Sequence, residues 1–195
     1  GTGGPGGLTY YVPRTPLTFD FSDESLSYLG TLRWRPTSNF STYLRVASGY
    51  RPGGPQTNPT PPADAQTFIE PDTVWNYEGG VKGSVLNGAL SFDASVFHID
   101  WNDIQLNSLV NGIVLQGNAA SATVDGFELE FTARPTDLLT ISASTGHTDA
   151  KVKDIDASAA SVTGARAGDK LPLTPDWTTS VLVDQVLPFS ESVVG

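Results

Sequence analysis

The chain lacks cysteine and methionine and has few basic residues. Without cysteine it forms no disulfides or thiolate metal sites, and it offers no thiol nucleophile. Its 11 lysines and arginines stand against 21 aspartates and glutamates, which gives a net charge of −10 over 195 residues. Because nucleic-acid phosphates require many cations, this balance argues against a nucleic-acid partner. The absence of methionine and of a signal segment at the start favours an internal piece of a longer polypeptide.

Long hydrophobic runs are also absent. No stretch approaches about 18 consecutive apolar residues, so the sequence excludes a membrane-spanning helix. A membrane-spanning strand has a different requirement, because only every second residue must be apolar. A hydrophobic content of 38% therefore remains compatible with a membrane protein built from strands.

What the chain does contain is alternation, most clearly in Thr73–Asp103, TVWNYEGGVKGSVLNGALSFDASVFHIDWND. Apolar or small residues take every second position from Trp75 to Val85, and the alternation resumes after a Leu86-Asn87-Gly88 turn. The period of two predicts a hairpin, and Asn-Gly supplies the positive φ angles of a tight turn. Each arm has about 11 residues, the length of a tilted strand that crosses a bilayer.

The same period predicts about seven strands in total. The five strands outside this hairpin lie within Ser25–Arg35, Phe40–Tyr50, Ala122–Arg134, Leu138–Thr148 and Trp177–Val183. Long loops are expected at Arg51–Asp72, at Asn102–Ser121 with a small Asn111-Gly112 hairpin, and at Asp149–Pro175. Long and short connections alternate, so all short turns fall at one end. This asymmetry predicts an all-β, antiparallel, up-and-down transmembrane β-barrel segment.

The parity of the alternation changes within the second arm of the hairpin. Phe97 and Trp101 fall on the opposite parity to Phe92 and Val96. A bulge near Val96 or emergence of the strand from the bilayer would explain the change. The polar residues around Trp101 favour emergence.

The predicted faces of the strands assign candidate site residues. The polar face should line the barrel lumen and contact a plug or ligand through Arg33, Arg35, Arg45, Asn76, Glu78, Lys82, Asp93, Glu128 and Glu130. Extracellular loop residues that could meet a ligand are Arg51, Gln56, Asn58, Asn107, Asn111 and Gln116. Aromatic residues expected at the membrane interfaces are Trp34, Tyr50, Trp75, Tyr77, Trp101 and Trp177.

Catalysis and metal binding have weaker support. Glu128 and Glu130 share a face, as a pair of catalytic carboxylates would, but a lumen wall requires the same polar period. His98 and His147 lack partners at metal-ligand spacing. We therefore predict no catalytic residues, no metal site and no cofactor.

Five stretches also carry a family resemblance, in order along the chain. They are ASGYRPGG (Ala47–Gly54), PDTVWNYEGGVKGS (Pro71–Ser84), FHIDWNDIQ (Phe97–Gln105), NAASATVDGFELEFTARP (Asn118–Pro135) and GDKLPLTPDWT (Gly168–Thr178). Together they resemble the barrel of a TonB-dependent outer-membrane receptor from about Ser25 onward. Residues 25–195 would then be part of that barrel, and residues 1–24 an extracellular loop or a truncated N-terminal segment.

The resemblance implies a function as well as a fold. It implies a barrel of about 22 strands around a plug domain of the same polypeptide. Such a receptor lies in the outer membrane of a Gram-negative bacterium, in contact with its lipid, and is not an enzyme. TonB, acting through the N-terminal region, would energise uptake of a scarce small-molecule ligand such as a ferric siderophore. Cobalamin, a nickel complex or an oligosaccharide would suit the same wall chemistry.

Two alternatives remain open at the level of sequence. One is a passive porin-like outer-membrane channel, which would lack the plug. The other is a soluble β-sandwich that binds carbohydrate through exposed aromatic residues. An open seven-stranded sheet has two edges that cannot be left unpaired in lipid, so a membrane location requires the rest of a barrel.

Overall fold

Antiparallel strands dominate the structure, a computed structural model that describes residues 25–56 and 68–187. The strand bounds are β1 Leu29–Thr37, β2 Phe40–Arg51, β3 Gly54–Pro55, β4 Phe68–Ile69, β5 Asp72–Val85, β6 Leu90–Val110, β7 Ile113–Thr136, β8 Leu139–Ile155 and β9 Trp177–Gln185. One short helix, α1, spans Ala157–Thr163. Within the described part of the chain, no helix is long and apolar enough to cross a membrane.

Seven of the strands form one up-and-down sheet. Their order is β1-β2-β5-β6-β7-β8-β9, every neighbouring pair is antiparallel, and β3 and β4 form a separate small ribbon. This arrangement confirms the predicted all-β class and the seven strands. The sheet stays open, with β1 and β9 at its edges among the described residues. The expected segment of residues 1–24 lies outside these residues.

Three tight turns connect strands at one end of the sheet. They follow β1, β5 and β7, and the β5–β6 turn is a single 3-10 turn at Leu86–Gly88. Asn87 and Gly88 have φ angles of 55° and 89°, which the Asn-Gly pair tolerates and most residues do not. The three predicted short turns at this end are confirmed, but the other end also has a tight turn, Asn111-Gly112, between β6 and β7.

The strands extend further at the other end than the sequence predicted. Residues 102–121 do not form a loop, because β6 and β7 stay paired up to the Asn111-Gly112 turn. Likewise, β8 continues to Ile155, and α1 follows it inside the predicted loop. Asn, Ser and Gly favour loops by composition, but cross-strand hydrogen bonds hold these residues in strands.

The bulge that changes the parity of β6 does not lie near Val96. Pairing between β6 and β7 is continuous from Leu90 to Trp101, which excludes that bulge. The first bulge follows at Asn102–Asp103, where Asp103 has a φ of 56°, and β7 has a compensating extra residue at Ala119.

The two faces of the sheet differ in chemistry. The outward apolar residues have no cover in the described structure, since Leu44, Val96 and Val181 are 63%, 62% and 65% exposed. Buried side chains instead collect beyond the aromatic residues, at the end with long connections. There Ile69, Ile104, Leu115 and Ala159 are buried, and β4 and α1 each contact the β6–β7 hairpin. Among the described residues, the buried side chains therefore cluster at the end of the sheet with long connections and not on its apolar face.

Candidate functional site

The nine predicted lumen residues lie on one face of the sheet. Strand register places Arg45 opposite Glu78, Lys82 opposite Asp93, and Asp93 opposite Glu130. The remaining members share this parity and complete the face: Arg33, Arg35, Asn76 and Glu128. The alternation in the sequence was sufficient to group them.

A polar network occupies the centre of this face. The Tyr43 hydroxyl donates to Glu78 Oε1 at 2.5 Å, and Asn76 Nδ2 donates to Glu78 Oε2 at 3.3 Å. Lys82 forms an ion pair with Asp93, and its Nζ lies 5.6 Å from the centre of the Tyr43 ring, a cation–π contact. The network therefore joins β2, β5 and β6. Tyr43 was not predicted as a site residue, although it shares the parity of Arg45.

Glycine allows the Tyr43 ring to lie flat against the wall. A Cβ at Gly80, directly opposite Tyr43 in the register, would come within 2.5 Å of that ring. Gly126 and Phe97 form a similar pair between β6 and β7, with a Cβ distance of 2.4 Å. Both contacts cover glycine backbone that would otherwise be open on the polar face.

The other charges on the polar face form no ion pairs among the described residues. Arg33, Arg35 and Arg45 leave an exposed positive region on β1 and β2. Glu128 and Glu130 leave an exposed negative region on β7. The face is thus positive at one side and negative at the other, with the neutralised Lys82–Asp93 pair between them. A partner of complementary polarity would find its orientation fixed by this pattern.

A cleft of about 550 Å³ lies at the short-turn end of the polar face. Charged side chains of Arg35, Lys82, Asp93 and Glu130 line it together with several serine and threonine residues. These groups are donors and acceptors suited to a polypeptide or to water. The cleft belongs to the same face as the central network.

The opposite, apolar face carries a row of aromatic rings. Tyr28, Trp75 and Tyr77 stack in sequence, with ring centroids 6.1 and 6.4 Å apart. The His147 ring lies between Phe127 and Trp177, at centroid distances of 5.8 and 4.7 Å. Such a row is typical of a membrane interface, where apolar rings can keep their polar atoms wet.

Five of the six predicted interface aromatics have the parity of this apolar face: Trp34, Tyr50, Trp75, Tyr77 and Trp177. Trp101 lies instead on the polar face, because no bulge precedes it. Its indole Nε1 is buried and has no hydrogen-bond partner. Trp101 therefore lies on the opposite face of the sheet from Trp75, and its role at the interface stays a prediction.

Charged groups replace apolar ones on β6 level with the aromatic row, where His98 lies opposite Tyr77 and Asp100 opposite Trp75. His98 Nδ1 lies 2.7 Å from Asp125 Oδ1, and its Nε2 lies 3.5 Å from Asp100 Oδ2. On the neighbouring strand β8, Lys151 donates a hydrogen bond to Asp149. This bond lowers the pKa of the Asp149 carboxyl and raises the pKa of the Lys151 ammonium. These charges mark where the apolar face ends.

Two predicted loop contacts are used inside the protein. Arg51 Nε donates to Asp72 Oδ2 at 2.9 Å, and Asp72 is 2% exposed. Gln56 is 6% exposed and donates its amide to the Gln116 carbonyl oxygen at 2.8 Å. Both side chains therefore support the outer connections.

The other predicted loop residues lie on the β6–β7 hairpin or outside the described residues. Asn107 and Gln116 are exposed and face each other across the hairpin. Asn111 is exposed at its tip, with a φ of 49°, and Asn58 lies outside the described residues. Sequence reasoning missed Gln105 and Asn118, whose amides bind the Arg51–Asp72 connection, because only the register brings them together.

An open antiparallel sheet with one uncovered apolar face, one charged face and an aromatic row is the wall of a transmembrane β-barrel. The sequence model described as "TonB dependent receptor-like, beta-barrel" matches residues 4–190. The chain belongs to this family of outer-membrane receptors of Gram-negative bacteria, which are transport receptors and not enzymes.

Relatives and solved structures agree with this family. The chain is 33% identical over 106 residues to pesticin receptors of Yersinia enterocolitica and Yersinia pestis, which covers 54% of this chain and 14% of theirs. The chain thus spans about a seventh of the length of these relatives.

Among solved structures, the ferric yersiniabactin uptake receptor of Yersinia pestis superposes with a TM-score of 0.65 at 22% identity, covering 83% of this chain and 23% of that one. A siderophore receptor of Acinetobacter baumannii gives a TM-score of 0.65 at 23% identity, covering 83% and 24%. The ferripyoverdine receptor of Pseudomonas aeruginosa gives 0.60 at 17%, covering 83% and 20%. These similarities establish a shared fold.

Proposed function

We propose that the chain forms part of the wall of an outer-membrane receptor that imports a ferric siderophore with energy from TonB. The observation that carries the proposal is the two-faced sheet, with an uncovered apolar face and a charged face of opposite polarity at its two sides. The solved proteins that share the fold include receptors for ferric yersiniabactin and ferripyoverdine. Their ligands support an iron chelate as the cargo of this receptor.

The apolar face would contact outer-membrane lipid between the short turns and the aromatic row. An ionised side chain there costs roughly 2–4 kcal/mol at mid-depth, so the change to charged groups at His98 and Asp125 supports a hydrocarbon boundary near Val96 and Phe127. The short turns would then face the periplasm, and the extended β6–β7 hairpin would project outside the cell.

The polar face would contact the plug domain of the same polypeptide. Arg33, Arg35 and Arg45 suit acidic groups of the plug, and Glu128 and Glu130 suit basic groups. The network of Tyr43, Asn76 and Glu78, with the Lys82–Asp93 ion pair beside it, occupies the wall between these regions. TonB would act on the plug through the N-terminal region of the whole protein.

Ligand contacts at the outer end would come from exposed side chains. Asn107, Asn111 and Gln116 offer amide groups on the projecting hairpin, while Arg51 and Gln56 support it from within. An amide-rich surface binds the oxygen-rich periphery of a chelate through neutral hydrogen bonds. Asn58 remains part of this proposed ligand surface.

The decisive experiment is iron uptake by the full-length receptor. Cells that lack their own siderophore receptors and express this protein should grow under iron limitation on ferric yersiniabactin or ferripyoverdine. Growth should require TonB, and the protein should sediment with outer membranes and migrate differently on gels after heating. Failure with every ferric chelate would contradict the proposed cargo.

A passive porin-like channel predicts a different result in the same cells. Entry would then rise linearly with concentration and persist without TonB. The polar face alone is compatible with such a channel, but membership of the receptor family and the polarity of the wall favour energised uptake.

A further inference from the structure

The two outer connections of the sheet are held together by side-chain amides. Gln105 and Asn118 are directly opposite in the β6–β7 register, just above the two bulges. Both reach the connection between β2 and β5, whose described parts are residues 52–56 and 68–71. The contacts therefore join elements that are distant in sequence.

Gln105 binds both ends of that connection with one amide group. Its Nε2 donates to the carbonyl oxygens of Pro52, at 3.1 Å, and of Glu70, at 3.2 Å. A side-chain amide has two N–H groups, so one residue can satisfy both acceptors. Closing the two ends in this way fixes the base of the connection.

Asn118 binds Glu70 as a paired strand would. Its Oδ1 accepts from the Glu70 N–H at 2.7 Å, and its Nδ2 donates to the Glu70 carbonyl at 2.8 Å. The same Nδ2 also donates to the Asp103 carbonyl, at 2.7 Å, at the bulge of β6. Asn118 therefore ties the bulge and the connection to β7.

Other contacts strengthen the same base. Arg51 and Asp72 pair across the ends of β2 and β5, and β3 and β4 pair just above them. A Cβ at Gly53 would lie 2.0 Å from the Ile69 carbonyl oxygen, so only glycine fits where the two arms cross. These contacts make the base of the connection compact. We call the side-chain hydrogen bonds of Gln105 and Asn118 the amide latch.

The surface above the amide latch is exposed. Asn107 and Gln116, and then Leu109 and Val114, continue the same face of the hairpin toward its tip. Leu109 and Val114 are 40% and 54% exposed. Amide groups next to exposed apolar side chains form a surface that can both hydrogen-bond and pack against a ligand.

We propose that Gln105 and Asn118 are positioning residues for ligand capture, which hold the base of the β2–β5 connection, residues 52–56 and 68–71, and the β6–β7 hairpin as one preassembled outer surface. The proposal rests on the receptor function proposed above. A preassembled surface loses less conformational freedom on binding, so the amide latch raises affinity without touching the ligand. Its loss should weaken capture and leave the transport step intact.

Hydrogen–deuterium exchange tests the amide latch in the full-length receptor. Gln105→Glu removes both N–H donors, and Asn118→Leu removes donor and acceptor without adding charge. In both variants, the amides of residues 52–56 and 68–71 should exchange about tenfold faster, while β5 and the lower part of β6 keep their protection. Gln185→Glu at the opposite end of the sheet, where the amide donates to the neighbouring Val186 carbonyl, is the matched control. Unchanged exchange at the loop base in both variants would overturn the amide latch.

Uptake of ferric yersiniabactin tests positioning separately. Both variants should raise the KM at least fivefold and keep the maximal rate within twofold of wild type. Faster exchange with an unchanged KM would show a purely structural latch and overturn the positioning role. If wild type takes up neither ferric yersiniabactin nor ferripyoverdine, the proposed function and the capture role fall together. The exchange result still decides whether the two outer connections are latched.

Discussion

Lys82 and Asp93 form an ion pair directly across β5 and β6, at the boundary between the positive and negative regions of the polar face. Both side chains keep contact with solvent, so the pair itself should contribute only about 0–1 kcal/mol. Its larger role is to neutralise Asp93, which lies directly opposite the carboxylate of Glu130.

Exchanging the two charges should test that role. Lys82→Asp alone brings a third carboxylate next to Asp93 and Glu130, so it should lower the temperature of heat-induced unfolding of the full-length receptor. The double exchange, Lys82→Asp with Asp93→Lys, should recover most of the loss, because opposite charges again face each other. A double variant as unstable as the single one would contradict a pairwise interaction.

Gly80 should be intolerant of a side chain. Gly80→Ala places a Cβ within 2.5 Å of the Tyr43 ring, so the ring must move and its hydrogen bond to Glu78 is lost. We expect a loss of about 1–3 kcal/mol in the free energy of unfolding, measured by urea titration in detergent. Gly49→Ala, with open space around the new Cβ, is the control and should change stability by less than about 0.5 kcal/mol.

A lysine introduced at two adjacent positions of β6 should change the folding free energy by different amounts. Val96 is on the apolar face and 62% exposed, whereas Ser95 is on the polar face opposite Glu128. Val96→Lys should therefore cost up to about 1 kcal/mol of folding free energy in lipid bilayers, because Val96 lies near the proposed hydrocarbon boundary. Ser95→Lys should cost little, because its ammonium meets water and a carboxylate. Equal losses at the two positions would contradict the assignment of the faces.

Trp101 should tolerate phenylalanine better than an interface tryptophan does. Its buried Nε1 has no partner, so Trp101→Phe removes an unsatisfied donor and keeps the aromatic contact. Stability should stay the same or rise by about 1 kcal/mol. Trp75→Phe, in the stacked row on the apolar face, should lower stability. The unfolding midpoints of both variants in lipid vesicles decide between these expectations.

Alternation in the sequence predicted the sheet because each lipid-exposed strand repeats the same two-residue rule. It placed Arg45, Glu78, Lys82 and Asp93 on one face before any register was known. The rule fails at Asp103 and Ala119, where the bulges change the parity, and beyond them polar residues in water carry no obligatory pattern. The composition of the extended hairpin therefore predicts a loop, and it does not indicate that Gln105 and Asn118 lie opposite each other.

The short helix α1 escaped prediction for a related reason. Its seven residues are small or β-branched, and Asp156 makes no side-chain capping hydrogen bond. Only Gly164, with a φ of 75°, carries a typical C-terminal signal. Packing against β6 stabilises the helix, which buries Ala159 completely, and such packing is not visible in local sequence.

The paired bulges at Asp103 and Ala119 divide the β6–β7 hairpin into a lower and an upper part. The alternation of side chains between the two faces changes parity from one part to the other. Below them, each residue must match a lipid or lumen environment, and a single insertion would turn every following side chain to the wrong side. Above them, the parity has already been reset on both strands, so residues can be added or removed in opposing pairs without disturbing the wall. The upper part of the hairpin can therefore change in length and sequence independently of the wall. The outer recognition surface can diversify while the membrane-embedded wall stays the same.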